Sequence, residues 1–176
     1  GITGSVASGK TTASKILAKK WGPLFSADKV VKELYKESKF KDLLSKKFNI
    51  KNRLKLKQIL KKKILSSQIN LKKLEQLIHP IVRKKMFKFI KKNEYKKFIF
   101  LEIPLLVESK LMKNFDIIIF IKAKKSLRLN RFRKKGGNKK LFDLLNKKQL
   151  SDAKKAKFCD YIVVNENNLN ILKKKL

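Results

Sequence analysis

Residues 1–12, GITGSVASGKTT, carry the reading on which the rest depends. Gly4–Thr11 fits G-x-x-x-x-G-K-[ST], a phosphate-binding loop. A shuffled chain with 6 Gly would contain that pattern with a probability of roughly 0.4%. Gly1–Thr3 reads as the end of a strand, and Thr11–Lys20 as a helix stopped at Trp21-Gly22-Pro23. Gly4 and Gly9 permit backbone conformations and close approaches that a side chain blocks. The amides from Ser5, Val6, Ala7 and Ser8 through Gly9, together with the helix N-terminus, form a nest for an anion. Lys10 is a point charge for β- and γ-phosphates, and the Thr11 hydroxyl is a Mg²⁺ ligand, with Thr12 beside it in the first turn. The loop therefore predicts binding of ATP with Mg²⁺.

Working outward, Leu24–Ser26 is a short strand, and Asp28 is expected to cap a helix over Lys29–Glu37. Residues 40–65 have apolar positions at helical spacing, broken near Asn49–Asn52. Leu71–Ile78 reads as one helix, and Pro80 suits the first turn of another, Ile81–Lys92. Phe98–Leu101 and Ile117–Ile121 are continuous apolar runs, as in strands buried on both faces. Helix Ser126–Arg133, a polar glycine-bearing loop 134–140, helices Leu141–Lys147 and Asp152–Lys157, strand Tyr161–Val164 and a helix from Asn168 complete the chain. Strands alternating with helices predict an α/β fold: a phosphate-loop NTPase-type parallel sheet flanked by helices. The expected core is 1–37 and 93–176, with a lid at about 126–150. The helical stretch 38–92, too long for a simple crossover, is expected to be an inserted substrate-binding subdomain.

Only thirteen carboxylates are present, so each can be weighed. Asp28 follows the second strand at its carboxyl end, the edge at which open α/β sheets bind ligands, and could take a proton from a substrate hydroxyl. Glu102 ends the third strand at the same edge and could hold a metal-bound water or orient substrate. Glu108 reads as a local cap or ion-pair partner, and Asp116, which precedes its strand, as structural. Arg128, Arg131 and Arg133 cluster on one helix, Arg128 and Arg131 sharing a face. Lid arginines of this kind neutralise charge on a transferred phosphoryl group. His79-Pro80 reads as a helix-start element and Cys159 as a small buried hydrophobe.

Composition bounds the alternatives. With 43% hydrophobic residues the chain can build a core; its one Cys excludes an intrachain disulfide, and its one His argues against a His-based metal centre or triad. The longest apolar run, Ile117–Ile121, is far short of the ~18 residues of a membrane helix. No signal peptide is visible and the chain lacks an initiator Met, so a few residues of the first strand are expected to precede Gly1. The expected location is cytoplasmic. The net charge of +35 comes mostly from Lys, with Arg at only Arg53, Arg83, Arg128, Arg131 and Arg133. Specific nucleic-acid readers rely on the Arg fork. Dispersed lysines predict at most non-specific electrostatic binding to nucleic acid.

The chain resembles dephospho-CoA kinases. The resemblance is carried by Gly1–Gly4 running into the loop, Ser26-Ala27-Asp28, Leu74–Val82 with His79-Pro80, Glu102–Glu108 with Pro104-Leu105-Leu106, Arg131, Lys148-Gln149 and Asp160–Asn165. It implies ATP-dependent phosphorylation of the ribose 3′-hydroxyl of dephospho-CoA, giving coenzyme A. It implies Asp28 as base, with Lys10 and Arg131 at the transferred group. It implies dephospho-CoA contacts around His79, Pro104, Leu105 and Glu108, and adenine near Asn165. The chain departs from the family at Ser26, often Asp, at Ala7, usually Gly, at Glu102, frequently Asp, and at Lys135, where a second lid Arg is common. Another phosphate-loop nucleoside or nucleotide kinase, or a basic nucleic-acid-binding NTPase, is the alternative that the residues alone leave open.

Overall fold

The computed structural model describes residues 1–176. In chain order the elements are β1 (Ile2–Gly4), α1 (Lys10–Trp21), β2 (Leu24–Ser26), α2 (Ala27–Leu34), α3 (Ser38–Lys47), α4 (Leu56–Ser66), α5 (Gln68–Lys92), β3 (Phe100–Glu102), β4 (Ile119–Lys122), α6 (Lys125–Lys134), α7 (Lys139–Lys147), α8 (Asp152–Ala156), β5 (Tyr161–Val164) and α9 (Leu169–Lys175), with a 3-10 turn at Met112–Asn114. The chain forms two compact units, Gly1–Ala27 with Ile90–Leu176, and Asp28–Phe89.

The first unit has the expected α/β fold. Its sheet is all parallel, in the order β2-β3-β1-β4-β5. The registers Ser26↔Glu102, Gly4↔Ile121 and Lys122↔Val164 bring the carboxyl ends of the strands to one edge. β1 is central, with β3 and β4 on opposite sides, so the loop that leaves it opens where the strand order reverses and ligands bind. Ile2, Ala13, Leu17 and Ile121 pack between β1, β4 and α1, while Lys15, Lys19 and Lys20 of α1 face outward. β5 is an edge strand, with Tyr161 and Ile162 exposed.

The second unit is helical and has its own core. Leu34, Phe40, Leu44, Phe48, Leu56, Leu60 and Leu74 come from α2 through α5, at the spacing read from the sequence. Two local expectations are corrected here. α2 starts directly at the residue after β2, so Asp28 lies inside its first turn as the second helical residue and is not a cap. α5 runs unbroken for 25 residues with Pro80 in its interior, so His79-Pro80 does not start a helix. The Pro ring removes one backbone hydrogen bond. The apolar residues Leu71, Leu74 and Met86, buried on either side of Pro80, hold the helix together across it.

Candidate active site

β1 is buried at every position and ends at Gly4, where the chain must turn sharply. A Cβ on Gly4 would stand 2.7 Å from the Ile121 carbonyl oxygen, so the loop leaves the sheet with no room for a side chain. Ser8 N–H donates back to Ser5 O at 3.1 Å. Ala7 and Gly9 take φ of 59° and 96°, and a side chain on Gly9 would run into the Asn165 amide. Gly9 O then accepts from Thr12 N and Ala13 N, which starts α1 at Lys10. No acidic residue stands in the first turn of α1, so the helix dipole and the loop amides are left for an anion. Lys10 is buried at this point.

Thr11 Oγ1 donates to Glu102 Oε1 at 2.5 Å. Glu102 is fully buried at the end of β3, and its Oε2 makes no hydrogen bond. A hydroxyl and a carboxylate with one unused oxygen, beside the loop, are hard oxygen donors that suit Mg²⁺. On this observation the residues fit the metal.

The arginines on α6 divide by burial. Arg131 is half-buried and donates to Ser8 O at 3.3 Å and to Asn165 O at 3.1 Å, over the second half of the loop. Asn165 lies just past β5, and its Nδ2 donates to Ser8 O at 2.8 Å. Arg128 is buried: its Nε donates to Ala123 O, and its Nη1 to Val6 O at 3.3 Å and to Asn146 Oδ1 at 2.9 Å. Burial pulls its guanidinium below the ordinary value, and the nearby Asp152 charge opposes that shift. Arg133 and Lys135 are exposed.

The turn after β3 is fixed to the sheet by Thr3 Oγ1, which donates to Pro104 O at 3.1 Å. Pro104 and Leu105 remain half-buried on it, and Leu106 is fully buried beneath. Glu108, at its end, accepts from Leu150 N at 3.0 Å and pairs with the fully buried Lys155 at 2.9 Å. In the helical unit, His79 is half-buried within α5, and Asp28 is exposed in the first turn of α2, two residues beyond Ser26. Cys159 is half-buried and donates to Lys155 O. Burial pushes its thiol up to about 11.

Two residues that touch this loop were not read as site residues from the sequence. Gln149 and Asp152 reach it from more than 140 positions away, while Asn146 bonds Arg128 and Lys155 pairs with Glu108 behind them. Lys148-Gln149 was visible as part of the resemblance. Asp152 and Lys155 look in sequence like ordinary residues of a short helix.

The family model described as dephospho-CoA kinase matches residues 1–170. The chain belongs to the dephospho-CoA kinase family. It is 37% identical over 172 residues to the dephospho-CoA kinase of Bartonella quintana, covering 93% of this chain and 86% of that one. A solved dephospho-CoA kinase from Campylobacter jejuni superposes with a TM-score of 0.66 at 27% identity, covering 99% of this chain and 90% of that one. A crystal structure from Thermus thermophilus shares the fold, with a TM-score of 0.78 at 24% identity over 98% of this chain and 90% of that one. Membership makes the chain a kinase that transfers phosphate to dephospho-CoA, with ATP as the other substrate. No helix is long and apolar enough to cross a membrane.

Proposed function

We infer that the chain phosphorylates the ribose 3′-hydroxyl of dephospho-CoA, with the following division of labour. Gly4–Thr12 hold the triphosphate through backbone amides and the positive end of α1. Lys10 adds a point charge at the β- and γ-phosphates. Asn165 lies on the adenine side of the nucleotide. Thr11 and Glu102 would hold Mg²⁺, which when bound neutralises charge on the phosphate oxygens. Arg131 faces the transferred phosphoryl group, where charge accumulates in the transition state. Asp28 orients the attacking hydroxyl and takes its proton. The helical unit serves dephospho-CoA recognition through His79, and the turn after β3 serves it through Pro104, Leu105 and Glu108. The reaction runs in the cytoplasm, with no specific nucleic-acid partner.

The observation that supports this reading best is the contact of Thr11 with a buried carboxylate, one oxygen of which is unused, directly beside a loop shaped for phosphate. Its test is a substrate panel. ADP formation from ATP is measured with dephospho-CoA, a nucleoside monophosphate, a nucleoside and single-stranded RNA. Turnover with dephospho-CoA alone, and a product carrying a 3′-phosphate, is expected. Faster turnover with a nucleoside or its monophosphate would transfer the chain to that substrate class.

A further inference from the structure

Two residues of the phosphate loop, Ser5 and Val6, are gripped by side chains that belong to neither the loop nor its strand. Val6 N–H donates to Gln149 Oε1 at 2.9 Å, and Val6 O accepts from Arg128 Nη1 at 3.3 Å. The Ser5 hydroxyl donates to Asp152 Oδ1 at 2.5 Å. Both polar groups of Val6 are thus engaged from the side. Val6 precedes Ala7, a non-glycine residue with φ of 59°. Such a conformation persists only where the surroundings impose it.

The gripping segment is itself anchored. Between Gln149 and Asp152, Leu150 N donates to Glu108 Oε1. One turn further along α8, Lys155 pairs with the same oxygen at 2.9 Å and is fully buried. Asn146, at the end of α7, accepts from Arg128. Glu108, Leu150, Lys155 and Arg128 therefore fix the backbone that carries Gln149 and Asp152.

We propose that Gln149 and Asp152 are positioning residues for ATP: they lock the first half of the phosphate loop in its anion-binding shape before nucleotide arrives, through the Val6 amide and the Ser5 hydroxyl. A loop ordered in advance does not spend binding energy on ordering itself. Without the grip, a part-buried amide loses its acceptor and the strained Ala7 turn loses a neighbour that fixes it.

This rests on the kinase reading only for the turnover arm, because nucleotide affinity can be measured without any acceptor substrate. The test compares Gln149→Leu, Asp152→Ala, Asp152→Asn and Ser5→Ala with the unaltered chain. ATP and dephospho-CoA affinities are measured by titration calorimetry, with turnover and melting temperature alongside. Gln149→Leu and Asp152→Ala are expected to weaken ATP binding about tenfold, the scale of one lost hydrogen bond, and to leave dephospho-CoA binding within twofold. Asn keeps an oxygen that can accept from Ser5, so Asp152→Asn should restore most of the affinity lost in Asp152→Ala. Ser5→Ala should add little to Asp152→Ala when the two are combined. ATP affinity within twofold of the unaltered chain in both Gln149→Leu and Asp152→Ala would overturn the proposal. So would a parallel fall in both ligand affinities and in melting temperature across all four variants, which marks a general packing role. If the unaltered chain binds ATP but does not turn over dephospho-CoA, the kinase reading fails and the affinity comparison still decides the grip.

Discussion

Thr11 and Glu102 are joined by a 2.5 Å hydrogen bond between the start of α1 and the end of β3, and the second oxygen of Glu102 is buried without a partner. The carboxylate thus keeps one acceptor in reserve beside the phosphate loop. Glu102→Gln retains an oxygen for Thr11 but removes the charge. The Mg²⁺ concentration needed for half-maximal turnover is expected to rise about tenfold or more, in line with a charge-assisted contact. A Mg²⁺ titration of turnover at saturating ATP checks this. An unchanged curve would confine Glu102 to orienting Thr11.

Lys10 opens α1 and is buried against the loop. Lys10→Ala should lower kcat by roughly 10²–10³-fold, the scale seen when one preorganised charge-stabilising donor is removed. ATP affinity should weaken as well. Steady-state kinetics with nucleotide titration measure both, and near-normal values would contradict the role given to the loop.

The loop, the sheet and the fold class were legible because their signals are local. Gly4 and Gly9 are required by close approach and by positive φ, and the strands are short apolar runs between helical patterns. Asp28 and Pro80 were misread locally. An Asp after a strand usually caps, and a Pro usually begins a helix, but α2 leaves β2 without a linker and α5 tolerates its Pro through buried neighbours. The grip of Gln149 and Asp152 on Ser5 and Val6 could not be read at all. It joins positions more than 140 residues apart, and no periodicity records a contact of that range.

Lys155 and Glu108 form an ion pair with side-chain exposures of 0% and 13%. Lys155→Ala leaves the largely buried Glu108 without its counter-charge, at a cost of about 3–5 kcal/mol. Lys155→Met combined with Glu108→Gln removes both charges and should recover much of that loss. Urea unfolding of the single and double variants measures the difference. Equal losses in the two would mean that packing, and not the uncompensated charge, sets the cost.

Cys159 carries a thiol held up near 11 by burial. Its thiolate is therefore scarce at pH 8, and only the thiolate reacts. Alkylation by iodoacetamide in the folded protein is expected to be slow at pH 8 and to rise about tenfold per pH unit until the thiol ionises. Rates followed by intact mass between pH 7.5 and 9.5 test this, and a plateau below pH 9 would contradict it.

Asp28 offers the sharpest test of the catalytic reading. It is exposed in the first turn of α2, two residues after Ser26, which pairs with Glu102 in the sheet. A ribose hydroxyl is a poor nucleophile while it keeps its proton, and a carboxylate within hydrogen-bond reach can orient it and accept the proton as the new bond forms. Asp28→Asn keeps the shape and removes the basicity. Because Asp28 is not a cap, the structural cost is limited to a charge near a helix N-terminus, about 0.3–1 kcal/mol. If Asp28 is the base, kcat for dephospho-CoA phosphorylation should fall by roughly 10²–10⁴-fold, while ATP affinity and melting temperature change little. If its charge only complements the helix dipole, the variant should melt slightly earlier and turn over normally. Measuring kcat beside thermal unfolding separates the two, and a stable Asp28→Asn protein keeping more than about a third of the original kcat is incompatible with general-base magnitudes.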